Sequence, residues 1–162
     1  MTARESERNE RAPSPARAGS ERWALPLARL ETAVLDACTA QREWPAQVAA
    51  GIYAGVDFAI ANPAVVEALT LGESAGNDSL RRYERFIGRL AGFIQVNAPV
   101  DSRRPGSTDE ALVAGVVGLV GDHIRIGRVD RLVELRPELV LLMLLPYLGF
   151  AEAQRWANEA ES

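Results

Sequence analysis

The sequence predicts an all-α fold. From Trp23 onward apolar residues recur at intervals of three and four, as on one face of a helix, and no segment alternates with the period of two that a half-buried strand requires. Proline, glycine and Asn or Ser caps stand between the periodic stretches, where helices stop and restart. Six or seven helices fit into 162 residues, enough chain for one hydrophobic core.

Residues 1–22 hold no Leu, Ile, Val or aromatic side chain, so they bury too little surface to offset chain entropy. They are expected to form a disordered tail, with a folded domain over 23–162. Leu27, Leu30, Val34 and Leu35 line one face of a first helix that runs to about Arg42. Trp44-Pro45 restarts the chain, because proline is favoured at the first helical position, and Val48, Ile52, Val56, Ala59 and Ile60 carry a second helix to about Asn62. Asn62-Pro63 caps and opens a short third helix through about Leu71, and residues 72–77 read as a loop.

Asp78 or Ser79 can cap a long fourth helix with Leu80, Tyr83, Phe86, Ile87, Leu90, Phe93 and Ile94 on its apolar face. Arg81, Arg85 and Arg89 fall on another side, either as an anion-binding row or as a solvated face paired with Glu84. Beyond the turn at Pro105-Gly106, Ser107-Thr108-Asp109-Glu110 has the form of a capping box. The fifth helix then spans about Thr108 to Ile126. Val129 to Leu135 fit a turn of helix, and Pro137 opens a sixth. Pro146 is expected to kink or break it before a last helix from Phe150 to about Ala160.

The run from Leu139 to Gly149 is apolar on every side, yet far shorter than the roughly 20 residues that cross a bilayer. A helix without a polar face must be covered all round. In a chain this small the cover is expected from a second copy.

The composition, 48% apolar and 25% charged with a net charge of -4, is that of a soluble globular protein and argues against a phosphate-binding surface. One cysteine, Cys38, and one histidine, His123, exclude a disulfide framework and a Cys/His zinc site. No secretory h-region and no segment of transmembrane length is present, so a reducing, cytoplasmic setting without membrane contact is expected. No cofactor is implied.

Gly72-Glu73-Ser74-Ala75-Gly76 is a literal G-x-S-x-G, the form of a hydrolase nucleophile elbow, with His123 the sole candidate base and Asp101, Asp109 or Asp122 as orienters. That elbow needs a strand entering the turn, and the residues before Gly72 read as helix. A small serine hydrolase is therefore the alternative, not the main expectation. His123 lies beside Leu119 and Val120, which fits a histidine bonded to a carbonyl or carboxylate, or one that meets a ligand. Cys38 reads as a small core residue. Asp57 and Glu67 are equally placed to line a pocket between helices or to face water. Gly115, Gly118 and Gly121 each cost on the order of 1 kcal/mol inside a helix relative to alanine, which close approach of another helix would offset. Relief of crowding beside a bulky neighbour is the other explanation.

Taken together, Trp44-Pro45, Asn62-Pro63-Ala64, the loop from Glu73 to Gly76, the glycine-spaced helix ending Ile124-Arg125-Ile126-Gly127, and Pro137-Glu138-Leu139 leading to Leu145-Pro146-Tyr147-Leu148-Gly149 resemble the C-terminal half of TetR-like transcriptional regulators. The resemblance covers about Leu27 to Ala157. It implies an effector-binding and dimerisation domain, homodimeric through a four-helix bundle made by its last two long helices. Dimer contacts would fall on Gly115, Gly118, Asp122, Leu141, Leu144, Leu145 and Leu148. Tyr53, Asp57, Leu71, Phe86, Leu90, Phe93 and His123 would meet a small apolar or mixed-polarity effector. Such regulators carry an N-terminal helix-turn-helix, for which residues 1–22 leave no room, so direct nucleic-acid binding by this chain is not expected. A stand-alone domain that heterodimerises with an intact regulator is a further alternative.

Overall fold

The structure, a computed structural model, describes residues 15–70, 77–102 and 104–159. Among them it is all-helical. The helices are α1 (Pro15–Thr39), α2 (Trp44–Ala61), α3 (Pro63–Thr70), α4 (Asn77–Asn97), α5 (Gly106–Arg125), α6 (Arg136–Leu148) and α7 (Phe150–Glu159). Short 3-10 turns at Val100–Ser102 and Val129–Arg131 connect the helices on either side of α5.

At the N-terminal side α1 begins at Pro15, within the segment expected as a tail. Pro15 suits a first turn, and Ala16, Arg17, Ala18, Glu21 and Arg22 are good helix formers, so the backbone stays helical without an apolar stripe to reveal it. Pro26 is accommodated inside the same helix.

Central to the bundle is α2, which packs on α1, α3, α6 and α7. Its Pro45 sits in the first turn, and at Asn62 the chain bends by 106° into α3. The Asn62 backbone N–H and side-chain amide both donate to the Phe58 carbonyl, which closes the C-terminus of α2. In turn α3 lies against α5 at a point where only glycine fits. A Cβ on Gly121 would stand 2.6 Å from Thr70 Cγ2 and 2.8 Å from its Oγ1. Of the three spaced glycines, this one serves helix contact within the chain. Among the described residues, nothing beyond the adjacent backbone of α5 and the neighbouring residues lies within 4 Å of the Cβ position at Gly115 or Gly118.

The capping box does not form. The N-cap of α5 is Pro105, with no side-chain cap bond, and Asp109 is buried. Its Oδ1 accepts a hydrogen bond from the Tyr147 hydroxyl of α6. Asp109 lies four residues before Val113, on the stripe that continues through Val116, Val117 and Val120, so the helix turns it inward.

Much of the apolar run is covered by its own chain, although Leu141 and Leu142 are half-buried and Leu145 is exposed. Leu139, Val140 and Leu144 are fully buried by α2, α5 and α7, and Met143 nearly so. The chain itself thus supplies much of the cover that was expected from a second copy, and leaves the face of Leu145 open. Pro146 does not break α6, because it falls within the last turn, where the bond its missing N–H would have made to Leu142 is one of the final ones. The break comes at Gly149, whose φ of 75° and ψ of 171° suit glycine and redirect the chain into α7. No single helix among the described residues is long and apolar enough to cross a membrane.

Candidate functional site

Six helices leave a cavity of about 100 Å³ between them. On α2 the lining follows one helical stripe, Val48, Gly51, Ile52, Gly55, Val56 and Ala59, and on α5 another, Val113, Val116, Val117 and Val120. Leu30, Val34 and Cys38 close it from α1, Val66 and Leu69 from α3, and Met143 from α6. The side on α4 carries the large groups, Phe86, Leu90, Phe93 and Ile94. Space remains because the α2 stripe is made of glycine, alanine and short branched side chains facing these larger ones. A Cβ on Gly55 would meet only Val34 Cγ2, at 3.6 Å, an ordinary contact.

The side-chain heteroatoms in the lining are the sulfurs of Cys38 and Met143, and of the two only the Cys38 thiol can donate a hydrogen bond. Burial pushes its thiol up to about 11, against lesser opposing hydrogen bonds from the backbone of Cys38 and Gly51, so it is neutral at physiological pH. Among the described residues the cavity therefore has no ionised wall.

Phe86, Leu90 and Phe93, expected to meet a ligand, line this cavity together. Tyr53, Asp57 and His123 lie outside its lining. Tyr53 and Asp57 instead meet Arg136 of α6, whose guanidinium pairs with Asp57 Oδ1 and lies 4.8 Å from the centroid of the Tyr53 ring. Asp57 is exposed and the guanidinium mostly covered, so the arrangement fastens α6 to α2 beside the cavity and not within it. The half-buried His123 places Nδ1 2.9 Å from the Leu119 carbonyl in its own helix, which fixes the proton on Nδ1. Leu71 and the G-x-S-x-G residues 72–76, with Ser74, lie outside the described residues.

The expected dimer residues divide. Leu144 is fully buried and belongs to the core. Gly115, Asp122 and Leu145 are exposed, while Gly118, Leu141 and Leu148 are half-buried. On α5, Gly115, Gly118, Leu119 and Asp122 share one face; on α6, Leu141, Leu145 and Leu148 share another.

The arginine row of α4 is partly engaged. Arg89 Nη1 donates to both carboxylate oxygens of Glu31 on α1, at 2.8 and 3.0 Å, and Arg85 Nε to the Arg81 carbonyl. Two features escaped the sequence. One is the Arg136 fastening. The other is a buried polar node in which Tyr147 bonds Asp109 while its ring packs edge-on to Trp44, with centroids 4.9 Å apart. Burial, followed by the hydrogen bond and charge of Asp109, holds the Tyr147 phenol well above its ordinary range, with Arg104 acting in the opposite direction. The continuation of the α5 stripe back to Asp109 was the available signal.

Comparison with protein-family models, with curated proteins and with solved structures finds no match to this chain.

Proposed function

We propose that this chain is a ligand-sensing and dimerisation domain of the TetR-like transcriptional regulator kind. The observation that carries the proposal is the apolar cavity bordered by α1 to α6, which collects Phe86, Leu90 and Phe93 in one wall. Small-molecule sites of helical bundles have this form, concave and lined mainly by apolar and aromatic groups. The net charge of -4 supports a role separate from DNA contact.

Homodimerisation is the second part of the proposal. It rests on the open faces of α5 and α6, where Gly115 and Gly118 permit close approach and Leu119 and Leu145, each 40% exposed, supply apolar area. Two helices from each copy would form the four-helix bundle. Of the seam residues expected from the sequence, Leu144 drops out because it is fully buried, and Leu145 stays.

The test is a thermal-melt screen of the purified chain against a chemically diverse set of small molecules. Gly55→Leu, which fills the cavity, serves as the control. A compound that binds the folded state at 100 times its dissociation constant stabilises it by about 2.7 kcal/mol. The expected result is a set of compounds that raise the melting temperature of the natural chain and leave that of Gly55→Leu unchanged. A set without any such compound would overturn the sensing role.

A further inference from the structure

We infer that the cavity takes an uncharged hydrocarbon-like molecule of about the size of a single aromatic ring, and turns away carboxylates and amines of the same size. The inference rests on the sensing role proposed above and names the chemical class of its ligand.

Chemistry of the wall is the first ground. Six helices contribute aliphatic, aromatic and glycine positions, and Cys38 contributes a thiol that stays protonated at neutral pH. An ionised group moved from water into such a space finds no counter-charge in the wall, and an isolated buried charge is among the most expensive things a protein can hold. The nearest ion pairs described above, Arg136 with Asp57 and Arg89 with Glu31, are already satisfied and stand outside the lining.

Size is the second ground. An apolar cavity of about 150 Å³ in another protein stays dry and binds benzene, so a space of about 100 Å³ here suits one ring or a short alkyl chain and not a polycyclic molecule. Phe86 and Phe93, seven residues apart on α4, both border that space and offer ring contacts of the offset or edge-on type. A neutral ring gains transfer free energy and dispersion there without leaving any polar atom unpaired.

The experiment titrates the full chain with toluene, benzoate and benzylamine, following methyl resonances in two-dimensional NMR, and repeats each titration on Gly55→Leu. The expected result is saturable binding of toluene that Gly55→Leu abolishes, with benzoate and benzylamine weaker by about 100-fold or more. Benzoate or benzylamine binding as tightly as toluene, and lost in Gly55→Leu, would overturn the ligand class while leaving the sensing role intact. Failure of all three probes to perturb the cavity methyls would overturn the ligand class and count against the sensing role as well.

Discussion

Tyr147 and Asp109 form the polar contact on which most depends for one pair of side chains. Asp109 is 1% exposed, its Oδ1 accepts from the Tyr147 hydroxyl, and its Oδ2 has no partner among the described residues. Tyr147→Phe removes the hydrogen bond while keeping the ring against Trp44, and is expected to cost about 2–3 kcal/mol in chemical denaturation, since a buried carboxylate loses its donor. Converting both members, Asp109→Leu with Tyr147→Phe, is expected to recover part of that loss, because no buried polar atom is then stranded. A double variant less stable than Tyr147→Phe alone would contradict this view. Cys38 makes a second prediction, in the alkaline range. Its thiol is raised in the folded chain from 9.0 to about 11, so the folded state holds the proton more tightly than the unfolded one. The stability it contributes is complete below pH 9 and is lost as pH rises through 11, by roughly 2–3 kcal/mol in all. Cys38→Ala should flatten the stability curve around pH 9, ahead of most of the fall that Tyr147 and Tyr83, both raised from 10.0, add from about pH 10 upward; an unchanged slope there would rule Cys38 out as its cause.

Contacts between helices carry the next scale. Gly121 lets α3 approach α5, and Gly121→Ala would push a methyl into Thr70, so a loss of about 1–3 kcal/mol is expected, partly restored by adding Thr70→Ala. The same substitution at Gly115 meets open space and is expected to leave monomer stability unchanged or slightly raised, as alanine favours helix. Equal effects at the two glycines would contradict the close approach. Sequence periodicity made most of this level legible: the stripes of α2, α4 and α5 place Phe86, Leu90 and Phe93 inward. It misplaced what depends on tertiary partners. Ser107 and Glu110 satisfy the residue pattern of a capping box, but α5 already starts at Gly106 behind Pro105, so Ser107 stands inside the first turn and not at the N-cap. Pro146 is a strong local breaker that loses its force in the last turn of α6. Asp57 and Tyr53 suggested a pocket, since a polar residue on an apolar helix fits a ligand contact and an interhelical fastening alike. Arg136, the group that decides between them, is 79 residues away from Asp57 in the chain.

At the scale of the whole molecule, the apolar run of α6 is the clearest lesson. A helix apolar all round suggested a partner copy; α2, α5 and α7 cover Leu139, Val140, Met143 and Leu144 within the chain, and the faces left open are those of Leu145 and Leu119. Leu144→Asp is therefore expected to unfold the monomer, as a charge replaces a fully buried side chain, whereas Leu145→Asp should leave a folded chain whose mass by light scattering falls from dimer to monomer. A folded natural chain that scatters as a monomer at micromolar concentration would contradict the proposed seam. The central claim, a ligand site among α1 to α6, is tested most directly by methyl NMR of the natural chain with a compound that raises its melting temperature. The expected result is shifts confined to cavity methyls such as those of Ile52, Val56, Val117 and Met143, with Leu145 and Val133 on the exposed surface unmoved. Shifts at Leu145 and Val133 with the cavity methyls unmoved would place the compound on the surface and contradict the claim.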